Sequence, residues 1–330
     1  KLQNVLAGNN LLYAGTSMQT PFYLHALVTE SYIHSAHKVM PGSSQIAKLL
    51  GQQLRQYGGT LLRNTEVIKL AEENGVITHA ITKDGQHIHG KQFIANVHPE
   101  ILLSLVDGPL LRPAYRKRIE GLEQTISCFM LNMVLKPKTV QMRHHNLYWH
   151  ASDNAWAAVR YKPDQWPANY AAFFTEDEAN PGYAESLSAL AYMHYDEVAQ
   201  WADTTNRAGD EHERSAAYEA FKQECADKLI KKLTGRMPEL QGNIITQSAA
   251  TPLTYRDYTS IPQGSLYGIL KDVNKPNETT ITTRTRIPNL YMTGQNVNLH
   301  GVLGVSITAV ATAAEFVGMQ YLLDKINSWH

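Results

Sequence analysis

The sequence predicts an α/β fold with α+β character, built as two intertwined parts. Three stretches carry that prediction. The first is NLYMTGQNVNLHGVLGVSITAVATAAEFVG, residues 289–318: a short apolar strand, a Gly-rich turn and a long helix of small residues. The second runs from PGSSQIAKLLGQQLRQYGG into TLLRNTEVIKLAEENGVITHAITKDGQHIHGKQFIANV, where the apolar period changes from helical to alternating. The third is the middle of the chain, where apolar runs such as TISCFMLNMVLKP are separated by polar, turn-rich segments.

Taken in order, residues 1–40 read as mostly helical, with loops at GNN and SMQTPF. This segment carries Tyr13, Phe22, Tyr23, His25, Tyr32, His34 and His37, a set that suits either a core or the lining of an apolar pocket. Ser43 or Ser44 can cap the next helix, and Ile46, Leu50 and Leu54 form one stripe along it. Gly58 and Gly59 supply a left-handed stop. Leu62, Val67, Ile68 and Leu70 suit a strand, the ENG and KDG turns divide a β-meander, and Gln92 to Ala95 forms its last strand. Pro99 fits the first turn of a short helix.

In the middle, TISCFMLNMVLKP reads as a buried strand, and NLYWHA and AWAAVRY as strands of an antiparallel sheet. YAAFFTEDEANPG and ALAYMHYDEVAQW continue the pattern. Residues 211–233 form an amphipathic helix with Ala217, Phe221, Cys225, Leu229 and Leu233 on one side. NIITQSAATPLTYRDYT reads as strand then loop, and GSLYGILKDVNKPNETT as loop. In the tail, Leu290, Tyr291 and Met292 form a strand and Gly294 turns the chain. Gly301 and Gly304 let backbone approach a bound ring, and a helix runs from Val305 to near Leu322.

Composition excludes several classes. The 30 Lys and Arg balance the 30 Asp and Glu, so no global field favours nucleic acid or an anionic membrane. Cys128 and Cys225 stand far apart with no CxxC, which fits a reducing cytoplasm; peripheral membrane association stays open. No apolar run reaches the roughly 18 residues of a membrane span. No GxSxG elbow is present. His87 and His89 share a strand face, but a pair without a third ligand reads as an ordinary surface hairpin. His144 and His145 point apart, so no metal is expected. The chain opens in mid-pattern at Lys1, as an excised fragment would; ordinary processing of the N-terminus is the alternative.

A helix that starts near Gly301 presents free N–H groups and a partial positive charge to whatever precedes it. A phosphate or a flavin can use that. A plain strand–turn–helix connection is the competing reading.

PGSSQIAKLLGQQLRQYGGTLLRNTEVIKL and IPNLYMTGQNVNLHGVLGVSITAVATAAEFV together resemble two motifs of the flavin-binding amine-oxidase-like superfamily. The phytoene desaturase and carotenoid isomerase branch fits best, and TGQ followed by HGVLG is most similar to the all-trans-retinol 13,14-reductase (retinol saturase) group. The resemblance implies FAD as cofactor, with Val67 at the adenosine-contacting strand. It places Gly294, Gln295, Gly301, Val302, Leu303 and Gly304 at the flavin. It implies a conjugated polyene substrate, such as a retinoid or carotenoid, that is saturated, desaturated or isomerised by hydride exchange. From the residues themselves, His300 beside the turn reads equally as substrate-facing or as a turn-stabilising hydrogen bond, and Tyr267 with Lys271 are candidates to reach the site from the substrate domain. Residues 41–96 and 288–330 would belong to the FAD-binding part, and 1–40 and 97–287 to a substrate domain. The family begins with a strand–GxGxxG–helix unit, and no GxGxxG occurs in these 330 residues. The resemblance therefore implies a chain that is inactive alone and whose own FAD binding is open. Sheet edges left free there would invite a homodimer. An amine or porphyrinogen oxidase, and a non-catalytic lipid-binding module, remain as alternatives.

Overall fold

The computed structural model describes residues 2–34, 37–40, 42–207 and 214–328. Lys1, Pro41 and residues 211–213 of the expected 211–233 helix lie outside the described residues. In chain order the elements begin with helices α1 (Leu2–Leu6), α2 (Phe22–His34) and α3 (Ser44–Gln56). Strands β1 (Val67–Glu73), β2 (Val76–Thr82), β3 (His87–His89) and β4 (Phe93–Ala95) follow, then α4 (Pro99–Leu105) and α5 (Pro113–Glu120). Next come β5 (Ser127–Leu135), β6 (Leu147–His150), β7 (Asn169–Glu176) and β8 (Ala184–Met193), then α6 (Ala216–Thr234), β9 (Ile244–Ala250) and α7 (Pro252–Thr259). The chain closes with α8 (Pro276–Thr279), β10 (Leu290–Met292), α9 (Gly301–Val317) and α10 (Met319–Asn327). The fold class is α/β, with both antiparallel and parallel pairing.

These elements form two compact units, each made of two chain segments: Lys1–Val28 with Glu123–Thr279, and Thr29–Leu122 with Thr280–His330. The expected boundaries at 40/41, 96/97 and 287/288 differ from these. Residues 97–122 lie in the second unit, where α4 packs against β1 and Lys69 of β1 pairs with Asp107 at 2.9 Å. Arg116 then donates to the carbonyl of Leu103 at 2.8 Å, tying α5 to the end of α4.

The first unit is built on a five-stranded antiparallel sheet in the order β6-β7-β8-β5-β9. Along β5, Ser127, Phe129, Leu131, Met133 and Leu135 are buried while Asn132 and Val134 are exposed, the two-residue period of a strand with one covered face. Helix α6 contributes Tyr218, Cys225, Leu229 and Leu233 to the same core. Its start is fixed by Ser215, whose hydroxyl accepts from the Tyr218 N–H at 3.3 Å. Burial pushes both thiols, Cys128 and Cys225, up to about 12, so neither is poised as a nucleophile.

Two middle segments differ from the strand and loop readings. AWAAVR, residues 155–160, is a 3₁₀ stretch, because the Asn154 side chain accepts from the Trp156 N–H (3.1 Å) and starts a helical turn. PLTYRDYT is helix α7: Thr251 caps it by accepting from the Leu253 N–H (3.2 Å), and Pro252 occupies its first turn.

His150 on β6 sets a pH limit on this unit. It bonds the Gly8 carbonyl through Nε2 at 2.9 Å, while Nδ1 is buried without a partner. Desolvation lowers its pKa, so the fold prefers the neutral ring. Its stabilising effect is complete above the unfolded value of about 6.5 and is lost as pH falls below it. Urea midpoints measured from pH 7.5 to 5 are expected to fall, and His150→Gln to flatten that slope.

In the second unit β1, β2 and β3 form an antiparallel meander, and β4 pairs with β10 in parallel. The ENG turn is a two-residue hairpin with Asn74 (φ 53) and Gly75 (φ 85) both left-handed. Helix α3 ends as its Gly-Gly pair predicts: Gly58 has φ 78, and the Gly59 N–H returns to the Leu54 carbonyl at 2.8 Å. Its stripe is not covered within the unit; Leu50 and Leu54 are exposed. The expected strand through Leu62 begins only at Val67, and Leu61 and Leu62 stay exposed outside any strand. The last helix starts at Gly301 rather than Val305 and breaks at Gly318 (φ 86) into α9 and α10.

Candidate functional site

The site region is assembled by the parallel pair. Register pairs Leu290 with Phe93, Tyr291 with Ile94 and Met292 with Ala95, so both strands end at the same level. Carboxyl ends of parallel strands are where open α/β sheets place ligands. There Asn96 follows β4 and Gly294 follows β10. The Thr293 N–H bonds the Ala95 carbonyl at 3.1 Å and carries the pairing one step past β10.

Gly294 is required by this closeness. Its φ is 96, and a Cβ at this position would lie 2.1 Å from Asn96 Oδ1. Gly294→Ala is expected to cost about 1–3 kcal/mol through the left-handed backbone alone. It is also expected to displace Asn96, which a thermal melt and the Asn96 side-chain amide signals would report.

The turn then delivers α9. His300 is its N-cap, in extended backbone and without a side-chain capping bond. Gly301 is left-handed (φ 76), and a Cβ there would meet nothing within 4 Å, so backbone at this point borders open space. Val302 and Leu303 in the first turn are 62% and 57% exposed, an apolar lip beside the free N–H groups. Gly304 has a different neighbour: its missing Cβ would lie 2.6 Å from Leu299 Cβ, so its smallness lets α9 pack on its own turn. Two buried threonines hold the helix in place. Thr312 donates to the Thr308 carbonyl (2.8 Å) while its oxygen lies 3.0 Å from Thr293 Oγ1, and Thr308 donates to the Gly304 carbonyl (2.9 Å).

The structure thus brings Gly294, Gln295, His300, Gly301, Val302, Leu303 and Gly304 together on one turn and the helix it opens. Val67 is the half-buried first residue of β1, opposite Thr82. Tyr267 and Lys271 belong to the first unit. There the Tyr267 hydroxyl donates to the Leu11 carbonyl at 2.7 Å, and Lys271 Nζ to the Thr279 carbonyl at 3.1 Å.

Sequence reasoning missed Asn96 and Asn289. The Asn289 side chain accepts from the Ile77 N–H (3.0 Å) and donates to the carbonyls of Ile77 (2.7 Å) and Lys91 (3.2 Å). Its own carbonyl accepts from the Phe93 N–H at 2.8 Å. One residue therefore locks the meander to the start of β10. Both asparagines directly follow or precede an apolar strand segment, the one signal that was available.

Comparison with solved structures places this fold. An oxidoreductase from Methanosarcina mazei matches with a TM-score of 0.53 at 12% identity, over 82% of this chain and 54% of that one. A variant of putrescine oxidase redesigned in cofactor binding matches with a TM-score of 0.53 at 12% identity, over 84% and 52%. The chain shares its fold with these two oxidoreductases. Its sequence relatives are all-trans-retinol 13,14-reductases. The enzyme of Rattus norvegicus is 22% identical over 335 residues, covering 92% of this chain and 53% of its own length. That of Homo sapiens is 22% identical over 356 residues, covering 99% and 57%. The chain spans about half the length of the curated relatives it matches. No protein-family model matches it.

Proposed function

We propose that this chain forms the ring-facing part of an FAD site in an oxidoreductase that acts on conjugated polyene lipids, retinoid or carotenoid. The observation that carries the reading is the meeting of Gly294, the open left-handed Gly301 and the start of α9 at the carboxyl ends of β4 and β10. That arrangement fits a planar ring. Backbone at Gly301 has room for close approach, and the first N–H groups of α9 supply donors and the positive end of the helix dipole. The residues that would hold the ring are Gly294, Gln295, Gly301, Val302, Leu303 and Gly304, with Val67 toward the adenosine half. When bound, FAD supplies hydride exchange with the polyene. The chain's own residues bind and orient the ring, and Val302 and Leu303 exclude water at its edge. The dipole of α9 favours the negatively charged reduced state. The polyene substrate is supported by the all-trans-retinol 13,14-reductase relatives.

The test joins this chain to the GxGxxG unit of one such relative and reduces the bound FAD without oxygen. Addition of all-trans-retinol is expected to reoxidise the flavin as the polyene absorbance shifts to shorter wavelength. Reduction of the oxidised enzyme by putrescine, with no reaction of the polyene, would replace this reading with that of an amine oxidase.

A further inference from the structure

The three histidines of the meander lie on one face of the second unit. His79 of β2 is the direct cross-strand partner of His89 on β3, and His87 lies two residues before His89 on the same strand. Successive residues of a strand alternate faces, so His87 and His89 point to one side, the side that the in-register partner His79 also takes. The rings are in contact: His79 lies 4.7 Å from His87 and 4.8 Å from His89, centroid to centroid. Two imidazoles bound to one zinc ion at about 2.0–2.1 Å would have centroids about 5 Å apart.

We propose that His79, His87 and His89 form a binding site for a divalent d-block cation such as zinc, with water in the fourth position. In the conformation described, the His87 ring stacks on His79 at 15° and the His89 ring is tilted to it at 38°, and among the described residues no three His, Cys, Asp or Glu side chains are placed to hold a metal ion. Closing the site takes rotation of His87 and His89, which are exposed and hold no core contact. His79 is already oriented. The Thr78 hydroxyl lies 3.0 Å from His79 Nδ1 and 3.4 Å from the Ala71 carbonyl. A hydrogen bond at Nδ1 leaves Nε2 as the ring nitrogen that can face a metal, the usual arrangement of a ligating histidine. The remaining neighbours on the face permit a cation. Ala71, opposite His79, is small, and Lys69, opposite Ile81, has its ammonium on Asp107 at 2.9 Å. The site is independent of any flavin.

Equilibrium dialysis of the full chain against zinc in metal-free buffer tests this. One zinc per chain is expected, with a rise in melting temperature that EDTA reverses. His79→Gln, His87→Gln and His89→Gln are each expected to abolish stoichiometric binding, with circular dichroism unchanged. The double variant His144→Gln, His145→Gln is expected to retain it. Thr78→Val is expected to weaken binding about 10-fold. Cobalt in place of zinc is expected to give the visible bands of a tetrahedral site, lost in the same three variants. Absence of stoichiometric binding, or its survival when all three meander histidines are replaced, would overturn the proposal.

Discussion

Replacing Asp257 with alanine is expected to destabilise the first unit by about 3–5 kcal/mol. The Asp257 side chain is fully buried, and that of Arg214 is 3% exposed. Its carboxylate accepts from Arg214, from Arg256 Nε at 3.0 Å and Nη2 at 2.7 Å, and from the Asn206 N–H at 2.9 Å. Arg256 in turn donates to the Ala202 carbonyl (2.6 Å) and the Tyr195 hydroxyl (3.1 Å), so the carboxylate gathers several loops around the start of α7. Without it, two guanidinium groups lose their counter-charge where water cannot fully replace it. The measurement is the urea midpoint at an unchanged slope. Asp257→Asn, which keeps acceptor capacity without charge, should fall between. A loss below about 1 kcal/mol for the alanine variant would place the pair among those that contribute little.

Asn289→Ala is expected to be the most damaging single change in the second unit, at about 2–4 kcal/mol. The substitution leaves the N–H and C=O of Ile77 and the carbonyl of Lys91 without their partner, although Ile77 is almost fully buried. Asn289→Asp retains the acceptor for the Ile77 N–H but loses both donations, and should be intermediate. Hydrogen exchange at the Ile77 amide reads the effect locally. Faster exchange there, with β5 and β8 amides unchanged, is the expected pattern. Equal exchange in variant and parent would show that the clamp is not what protects the meander.

Elements whose boundaries are written in local chemistry were legible before the structure. The apolar triplet Leu290–Met292, the Asn74-Gly75 hairpin, the Gly58-Gly59 stop and the buried run of β5 all stand where they were expected. Helix α7 has little helical signal in the sequence, because its start depends on a Thr251 cap and Pro252, which follow a strand without any periodic apolar run. The strand expected at Leu62 has no partner strand among the described residues, and a lone extended segment has no ladder to join.

The site was legible in part. Its glycines are sequence signals because positive φ restricts the residue type, as at Gly294 and Gly301. Asn96 and His79 were not, because their neighbours are set by register. Asn96 meets Gly294 only through the parallel pairing of β4 with β10, and His79 meets His89 only through the antiparallel pairing of β2 with β3. A two-histidine pattern on one strand gave no hint that the adjacent strand supplies a third.

On the proposed function, the turn at 293–304 would face the ring of an FAD whose pyrophosphate would be held by a GxGxxG unit, a motif that these 330 residues do not contain. The most direct measurement is a visible absorption spectrum after incubation with FAD and desalting, taken on this chain alone and on the chain joined to that unit from an all-trans-retinol 13,14-reductase relative. A flavin band retained by the joined protein, weakened by Gly294→Ala and absent from the chain alone, is the predicted result. A joined protein that folds and keeps no flavin would contradict the claim and leave a lipid-binding module as the better account.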